Sequence, residues 1–271
     1  MNTAENITVI GSSGAIGGAF IKALSNRYPD AGIHAFSRQT PKNALPQVCY
    51  HMLDYSNESA IATAAVIASK QASIDFIVVA TGALHGNGMM PEKSLNALSA
   101  SKFQRSFEIN AIFPALVAKH FLPRLNKERR CIFAVLSARV GSISDNRLGG
   151  WYAYRASKAA LNMIIKNAAI ETARRHKQAI IVGLHPGTVD SHLSKPFQHN
   201  VPDAKLLTPD DSAAKLLNVL EILTAEHSGK CFAWDGKEIL VTEKRIISSV
   251  CIRFLPYIEN FRSCVVAKEA T

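Results

Sequence analysis

The chain has few charged residues and no long apolar run. Only 19% of its 271 residues are charged and 48% are hydrophobic. This balance excludes an intrinsically disordered chain and leaves enough apolar side chains for one large core. The apolar runs fall short of the roughly 20 residues that a membrane-spanning helix needs, and residues 1–5 contain no basic segment typical of a signal peptide. We therefore expect neither a transmembrane segment nor a signal peptide.

Cysteines and acidic residues are also scarce. The five cysteines are an odd number without a CxxC pair, so the sequence predicts neither a disulfide framework nor a metal site. A reducing, cytoplasmic location is the expectation. Asp and Glu number 21 against 31 Lys and Arg, which favours an anionic partner. Two basic clusters, at 124–130 and 174–177, lie at predicted helix ends, and we interpret them as solvated ends and not as a nucleic-acid surface.

Short apolar segments alternate with longer segments of helical spacing. The apolar segments lie at 7–10, 33–36, 74–80, 131–136, 179–184 and 231–234, with a further short strand at 49–53. Helical spacing follows Ile16, Ile61, Phe103 and Tyr154, and the third of these segments continues to Leu122. Near-continuous apolar strands joined by helices predict an α/β fold, with one Rossmann-type, doubly wound parallel sheet and helices on both faces.

Two segments do not fit the alternation. Residues 188–209 contain three prolines and several polar residues, and we predict an irregular substrate lid there. Residues 241–271 follow the last strand, so the chain divides into one α/β domain, 1–240, and a C-terminal extension, 241–271. The extension has two interpretations: a helix docked on the core or on a second subunit, or a basic amphipathic segment on a membrane.

A glycine-rich turn, GSSGAIGG at 11–18, joins the first strand to the first helix. Strand, glycine turn and helix form the context of a dinucleotide-binding fingerprint, because the turn lets the main chain approach a pyrophosphate and the helix amino end attracts the anion. An ordinary turn between strand and helix is the alternative. The residues assigned to the cofactor in this turn are Gly11, Ser13, Gly14, Ile16 and Gly17.

The second and third strands end on residues that bear on the choice of cofactor. An acid at the end of the second strand is typical of NAD sites, whereas a 2′-phosphate needs a cation. Ser37 and Arg38 stand there, and a guanidinium can bind the phosphate with several donors. We therefore favour NADP(H) over NAD(H). Asp54, after the third strand, is assigned to the adenine, and a solvated helix-capping role is the alternative.

Tyr154 and Lys158 are four residues apart at the start of the longest helical segment. This spacing places them on one face, one turn apart. A phenol titrates near 10, and a neighbouring lysine cation and an oxidised nicotinamide both favour the phenolate. Tyr154 is therefore a candidate general acid or base. A YxxxK string is weak by itself, because it recurs by chance.

Four features occur together in the sequence: the glycine turn, Tyr154 with Lys158, a serine near the fifth strand and PGT at 186–188. With these features, the sequence resembles the short-chain dehydrogenase/reductase family over about residues 7–239. The strings GGWYAYRASKAALN at 149–162 and FAWDG at 232–236 are similar to its C-factor-like and sniffer-like carbonyl reductases. The resemblance implies hydride transfer between NADPH and a carbonyl or alcohol substrate.

It also implies roles for individual residues. Tyr154 would exchange a proton with the substrate oxygen, Lys158 would also hold the nicotinamide ribose, and Asn110 would support a proton-relay water. Thr188 would bond the cofactor amide or pyrophosphate. The segment expected to line the nicotinamide consists of Pro186, Gly187, Thr188 and Val189.

Three positions depart from the family pattern. In the glycine turn, Ala15 stands where a glycine is usual and Gly14 lies one residue early. After the fourth strand, where the family has two asparagines, the chain reads VATG at 79–82. Cofactor contact there is expected mainly through the main chain of Ala80, Thr81 and Gly82, with Thr81 supplying part of the missing bonding.

The third departure concerns the serine that orients the substrate carbonyl. The usual second serine of the Ser-Ser-x-x-Gly pattern is Ala138. Ser137 is our candidate for the catalytic hydroxyl, and Ser142, which lies twelve residues before Tyr154, is the alternative.

The sequence thus predicts an NADP-dependent carbonyl reductase or alcohol dehydrogenase with a small-molecule substrate and no nucleic-acid partner. The resemblance implies a homodimer or homotetramer, paired through the helices that begin near Ser101 and Tyr154. A cofactor-binding signalling protein with little catalysis is the alternative, because Ala138 lacks the usual hydroxyl.

Overall fold

The computed structural model describes residues 4–41, 44–86, 88–202 and 205–242, with only the main chain of Asn200. Beyond Thr242, the predicted extension lies outside the described residues. The strands are β1 (Asn6–Ile10), β2 (Gly32–Ser37), β3 (Val48–Met52), β4 (Phe76–Val79), β5 (Cys131–Leu136), β6 (Ala179–His185), β7 (Thr188–Val189), β8 (Leu206–Leu207) and β9 (Cys231–Ala233). The helices are α1 (Ala15–Arg27), α2 (Glu58–Ala68), α3 (Ala100–Phe107), α4 (Phe113–Phe121), α5 (Tyr152–Ala173) and α6 (Pro209–Ile222).

Seven strands form one parallel sheet in the order β3-β2-β1-β4-β5-β6-β9. Every strand expected from the apolar segments is present within a few residues of its predicted bounds. The strand order reverses direction between β1 and β4, whose residues pair from Ile7 with Phe76 to Ile10 with Val79. In open α/β sheets, ligands bind at the carboxyl ends of the strands on either side of such a reversal.

Helices cover both faces of the sheet, which confirms the predicted fold class. On one face, α1 and α6 bury Phe20, Leu24 and Leu216 against the strands. On the other face, α2, α4 and α5 bury Ile61, Val117 and Leu161. The central strands are buried along their whole length, because each of their faces packs on helices.

The segment from 103 to 122 is not the continuous helix that its spacing predicts. A π-helical turn, Glu108–Ile112, separates α3 from α4, and the Phe113 N–H bonds the carbonyl of Glu108, five residues back. Pro114 has no N–H, so the carbonyl of Asn110 cannot accept the usual bond from the residue four positions later. π-helical turns of this kind are frequent at functional sites.

The predicted lid is partly ordered by main-chain pairing. β7 and β8 form a small parallel sheet that pairs Thr188 with Leu206 and Val189 with Leu207. Between them, Lys195–Asn200 forms a 3-10 helix. The segment 188–209 is therefore closed at its base, whereas the sequence indicated only an irregular excursion.

The basic residues at 129 and 130 have protein partners. Arg129 donates two bonds to Asp75, at 2.9 Å each, and one to Glu5 at 2.8 Å. Arg130 donates to the main-chain carbonyls of Leu220 and Leu223 at the end of α6, where a cation complements the helix dipole. Among the described helices, none is long and apolar enough to cross a membrane.

Candidate active site

The glycine turn folds into the tight βα connection that the fingerprint requires. Gly11 has φ +90°, and a Cβ there would lie 2.9 Å from the main chain of Ala80. A Cβ on Gly17 would lie 2.2 Å from the carbonyl oxygen of Gly11. Only glycine fits these two positions, which bring β1, β4 and the start of α1 together at the reversal point of the sheet.

The amino end of α1 is free of competing acceptors. Its N-cap, Gly14, supplies no side-chain bond, and the first turn contains no acidic residue. The first N–H groups of a helix lack partners within the helix, so the amides of this turn can receive an anion. Ser13 and Gly14 are exposed beside it, and Ile16 is half-buried.

Arg38 and Tyr55 form the edge of the site beyond β2. The Arg38 guanidinium carbon lies 5.4 Å from the centre of the Tyr55 ring, and Tyr55 stacks on Phe113 with ring centres 4.3 Å apart. Burial raises the pKa of Tyr55 to about 12, with Arg38 opposing the shift. Arg38 itself is exposed. Sequence reasoning missed Tyr55, because its contacts with Arg38 and Phe113 join separate segments of the chain.

Ser37 and Asp54 bond within their own turns. The Ser37 hydroxyl donates to the carbonyl of Gln39 at 2.6 Å, so its proton shapes the turn after β2. The exposed Asp54 carboxylate accepts from the main-chain N and hydroxyl of Ser56, which lower its pKa. The cap of α2 is Asn57, so Asp54 is not the helix cap that the sequence offered as its alternative role.

Asn110 joins three segments at the carboxyl end of β4. It is fully buried, its Oδ1 accepts from the Ala83 N–H and its Nδ2 donates to the Ala83 carbonyl, both at 2.9 Å. Nδ2 also lies 3.1 Å from the Ser157 hydroxyl oxygen of α5. Nearby, the buried Thr81 hydroxyl has no partner among the described residues, so it is free to bond a ligand beside the glycine turn.

Tyr154 and Lys158 lie together at the start of α5, next to this clamp. Lys158 is 2% exposed, and its Nζ donates to the Leu136 carbonyl at 2.8 Å and lies 5.9 Å from the centre of the Tyr154 ring. Burial lowers the pKa of Lys158 to about 8. It also raises the pKa of Tyr154 to about 12, so the lowering expected from the sequence is not found in the protein alone.

The two candidate serines are both engaged in protein bonds. The Ser137 hydroxyl is buried and donates to Asn162 Oδ1 at 2.6 Å. The Ser142 hydroxyl donates to the Leu240 carbonyl at 2.5 Å and accepts from the Asp145 N–H. These hydrogen bonds hold the end of β5 against α5 and the following turn against the segment at Leu240.

The segment after β6 approaches the same edge of the sheet. The Pro186 carbonyl accepts from the Ser212 hydroxyl of α6 at 2.8 Å. Gly187 packs so closely on Trp234 that a Cβ would lie 2.7 Å from the indole ring. The following Thr188 and Val189 form β7, so this segment is fixed by α6, Trp234 and the small sheet.

Aromatic rings that the sequence did not bring together extend outward from Tyr154. Trp151 packs edge-on against Tyr154, with ring centres 6.3 Å apart, and Phe197 lies 5.0 Å from Trp151. Phe197 also contacts His85, which stacks on His192. These rings come from three loops, so no local pattern could have joined them. Within the described ranges, no group of three ligating side chains could hold a metal ion.

Comparison with known proteins gives one matching family model, described as short chain dehydrogenase, over residues 5–202. The C-signal protein of Myxococcus xanthus is 37% identical over 146 residues, which are 54% of this chain and 82% of that protein. A 1-hydroxy-2-glutathionyl-2-methyl-3-butene dehydrogenase of Rhodococcus is 32% identical over 181 residues, 67% of this chain and 74% of the relative.

Among solved structures, the NADPH-bound carbonyl reductase from chicken fatty liver superposes with a TM-score of 0.73. It is 23% identical and covers 88% of this chain and all of that one. At this identity, the likeness establishes a common fold.

Proposed function

The chain belongs to the short-chain dehydrogenase family, and from this membership we propose that it is an NADP(H)-dependent carbonyl reductase in which Tyr154 protonates the substrate oxygen. Membership makes it an oxidoreductase and confirms the resemblance seen in the sequence. The observation that carries the finer proposal is the buried Lys158 ammonium beside Tyr154, next to the unpartnered Thr81 hydroxyl and the glycine turn.

The residues present fit a dinucleotide phosphate. The glycine turn and the uncapped amino end of α1 suit the pyrophosphate, Arg38 suits the 2′-phosphate, and we assign Asp54 to the adenine. On the nicotinamide side, we assign Ala80, Thr81 and Gly82 together with the segment from Pro186 to Val189. When bound, the reduced nicotinamide supplies hydride to the carbonyl carbon.

The protonation state of Tyr154 suits a proton donor. With a pKa raised to about 12, the phenol holds its proton at neutral pH and can donate it as negative charge develops on the substrate oxygen. Lys158, with a pKa of about 8, is mostly a cation at neutral pH, and it stabilises the phenolate that donation leaves behind. Oxidation of an alcohol would use the same two groups in reverse, with the Tyr154 phenolate favoured by Lys158 and by the oxidised nicotinamide.

Asn110 and Ser137 support this pair. Asn110 holds the Ala83 main chain against α5 and, as the family pattern implies, would orient a proton-relay water. We now assign Ser137 a positioning role: its bond to Asn162 ties β5 to α5. With Ala138 in place of the usual serine, Tyr154 is the main donor to the substrate oxygen in this proposal.

A cofactor-binding signalling protein is the second candidate. The relative at 37% identity carries the name C-signal, and the hydroxyls of Ser137 and Ser142 are both engaged within the protein. Such a protein would bind NADPH and turn over few carbonyl compounds.

A turnover screen separates the two functions. The purified chain is mixed with NADPH and a panel of aldehydes, ketones and quinones, and loss of the reduced-nicotinamide absorbance is followed. If the chain is a reductase, we expect NADPH to be oxidised only in the presence of a carbonyl compound, and NADH to be oxidised more slowly. Binding of NADPH without oxidation by any member of the panel would support the signalling function.

Assembly and location belong to the same proposal. Ile112, the last residue of the π-helical turn, and Met163 and Ile170 of α5 are large apolar residues left about half exposed, which suits pairing into a homodimer or homotetramer. Cys49, Cys131 and Cys231 are free thiols, which is consistent with a reducing cytoplasm.

A further inference from the structure

The helix that carries Tyr154 and Lys158 begins at an unfavourable main-chain conformation. Gly149, Gly150 and Trp151 have φ angles of 62°, 63° and 51°, so three consecutive residues lie in the left-handed region. Glycine adopts this region readily, whereas a residue with a Cβ does not. Trp151 keeps the conformation only because neighbouring groups hold it there.

Glu92, from the loop between β4 and α3, is the main neighbour that holds this turn. Its main-chain carbonyl accepts from the Trp151 N–H at 2.5 Å, and its carboxylate Oε2 accepts from the Ala153 N–H at 3.2 Å. The residue is 2% exposed. A second contact fixes the turn from the helix side, since Arg155 Nε donates to the carbonyls of Gly149 and Gly150.

The Glu92 carboxylate replaces a missing cap. The N-cap residue of α5 is Trp151, whose side chain supplies no cap bond, although the first four N–H groups of a helix need acceptors. None of the ion pairs in the described part of the chain involves Glu92. Burying a carboxylate without a cationic partner is costly, and here its hydrogen bond and the positive helix end compensate.

We propose that Glu92 is a positioning residue for carbonyl reduction: by capping α5 across the active site, it fixes where the Tyr154 hydroxyl points. Tyr154 follows the capped Ala153 directly, and Lys158 lies one turn further on. Glu92 also lines the same small cavity as Tyr154, Met90 and Ser106. This role rests on the proposed function of Tyr154 as proton donor.

The test compares Glu92→Leu, Glu92→Gln and a matched control, Glu128→Leu. Glu128 is exposed and precedes β5. It therefore lies at the amino ends of the strands, whereas the site lies at their carboxyl ends. Four quantities are measured for each variant: kcat and KM for one carbonyl substrate, the Kd of NADPH, the pH profile of kcat, and hydrogen exchange in residues 149–158.

For Glu92→Leu, we expect kcat to fall by about 100-fold, because a displacement of about 1 Å at a reacting group has an effect of this size. The Kd of NADPH stays unchanged, and exchange accelerates at 149–158 only. The pH profile shifts, since Tyr154 and Lys158 no longer keep their mutual geometry. Glu92→Gln retains an oxygen acceptor and restores most of kcat. If the leucine variant does not fold, a large loss of kcat in Glu92→Gln with unchanged hydrogen exchange at 149–158 would overturn the proposal. The control resembles the unaltered protein throughout.

A wild-type kcat in Glu92→Leu would overturn the proposal. So would a loss of kcat accompanied by an equal loss of NADPH binding and faster exchange along the whole chain, since that pattern indicates general destabilisation. If the unaltered protein reduces no carbonyl compound, the proposed function fails instead. Hydrogen exchange at 149–158 then shows by itself whether Glu92 caps α5.

Discussion

Burial of the Lys158 ammonium group in the candidate site lowers the stability of the fold. The ammonium group is buried, with one main-chain carbonyl as hydrogen-bond acceptor. Burial lowers its pKa from 10.5 to about 8, so the folded protein holds this proton less tightly than the unfolded chain. At neutral pH, the charged lysine therefore destabilises the fold, by about 3 kcal/mol if the whole pKa difference is counted.

Replacing Lys158 with methionine should stabilise the protein at pH 7 and abolish turnover. We expect the free energy of unfolding to rise by roughly 1–3 kcal/mol, because the lost bond to Leu136 offsets part of the gain. Between pH 8 and 10.5, the unfolded wild-type chain binds more protons than the folded one, so wild-type stability increases with pH. The advantage of the variant should therefore vanish near pH 10. Urea unfolding at both pH values measures it, and a variant less stable at both would contradict this account.

In the proposed function, Arg38 selects NADP(H) over NAD(H). Arg38→Ala should weaken NADPH binding by roughly 1.5–3 kcal/mol, the contribution of a charged hydrogen bond, and leave NADH binding nearly unchanged. Isothermal titration with both cofactors provides the measurement, and Arg174→Ala, an exposed arginine near the carboxyl end of α5, is the matched control. Equal losses for the two cofactors would refute contact with the 2′-phosphate.

At the scale of elements, the π-helical turn between α3 and α4 determines how three segments meet. The turn places Asn110 against the main chain of Ala83 after β4 and against Ser157 of α5. Removing that side chain takes a hydrogen-bond partner from the N–H and carbonyl of the half-buried Ala83 and from the buried Ser157 hydroxyl. The clamp thus connects the segment after β4 to the helix that carries Tyr154.

Asn110→Ala should therefore destabilise the whole domain. We expect a loss of about 2–4 kcal/mol in the free energy of unfolding, since each unsatisfied buried group costs about 1–3 kcal/mol. Denaturant unfolding measures the loss. Asn218→Ala, at an exposed asparagine of α6, should stay within about 0.5 kcal/mol of the unaltered protein. A similarly small effect at Asn110 would show that the clamp contributes little.

At the scale of the whole molecule, the strands and most helices were predictable, because their apolar spacing is local. The glycine turn was equally predictable, and so was the spacing of Tyr154 and Lys158, because both are local patterns. The π-helical turn at 108–112 was not, because the helical spacing of apolar residues continues through it from Phe103 to Leu122. The hydrogen bonds from Ser137 to Asn162 and from the Ala153 N–H of α5 to Glu92 were not predictable either, because they join residues that are distant in the sequence.

The central claim concerns the whole molecule as a reductase and is tested most directly at Tyr154. NADPH oxidation in the presence of a carbonyl substrate, together with NADPH binding, is measured for the unaltered protein, Tyr154→Phe and the matched Tyr152→Phe. The account predicts that Tyr154→Phe binds NADPH normally but loses carbonyl-dependent oxidation, while Tyr152→Phe keeps both. Turnover retained in Tyr154→Phe would contradict the assignment of its hydroxyl as the proton donor.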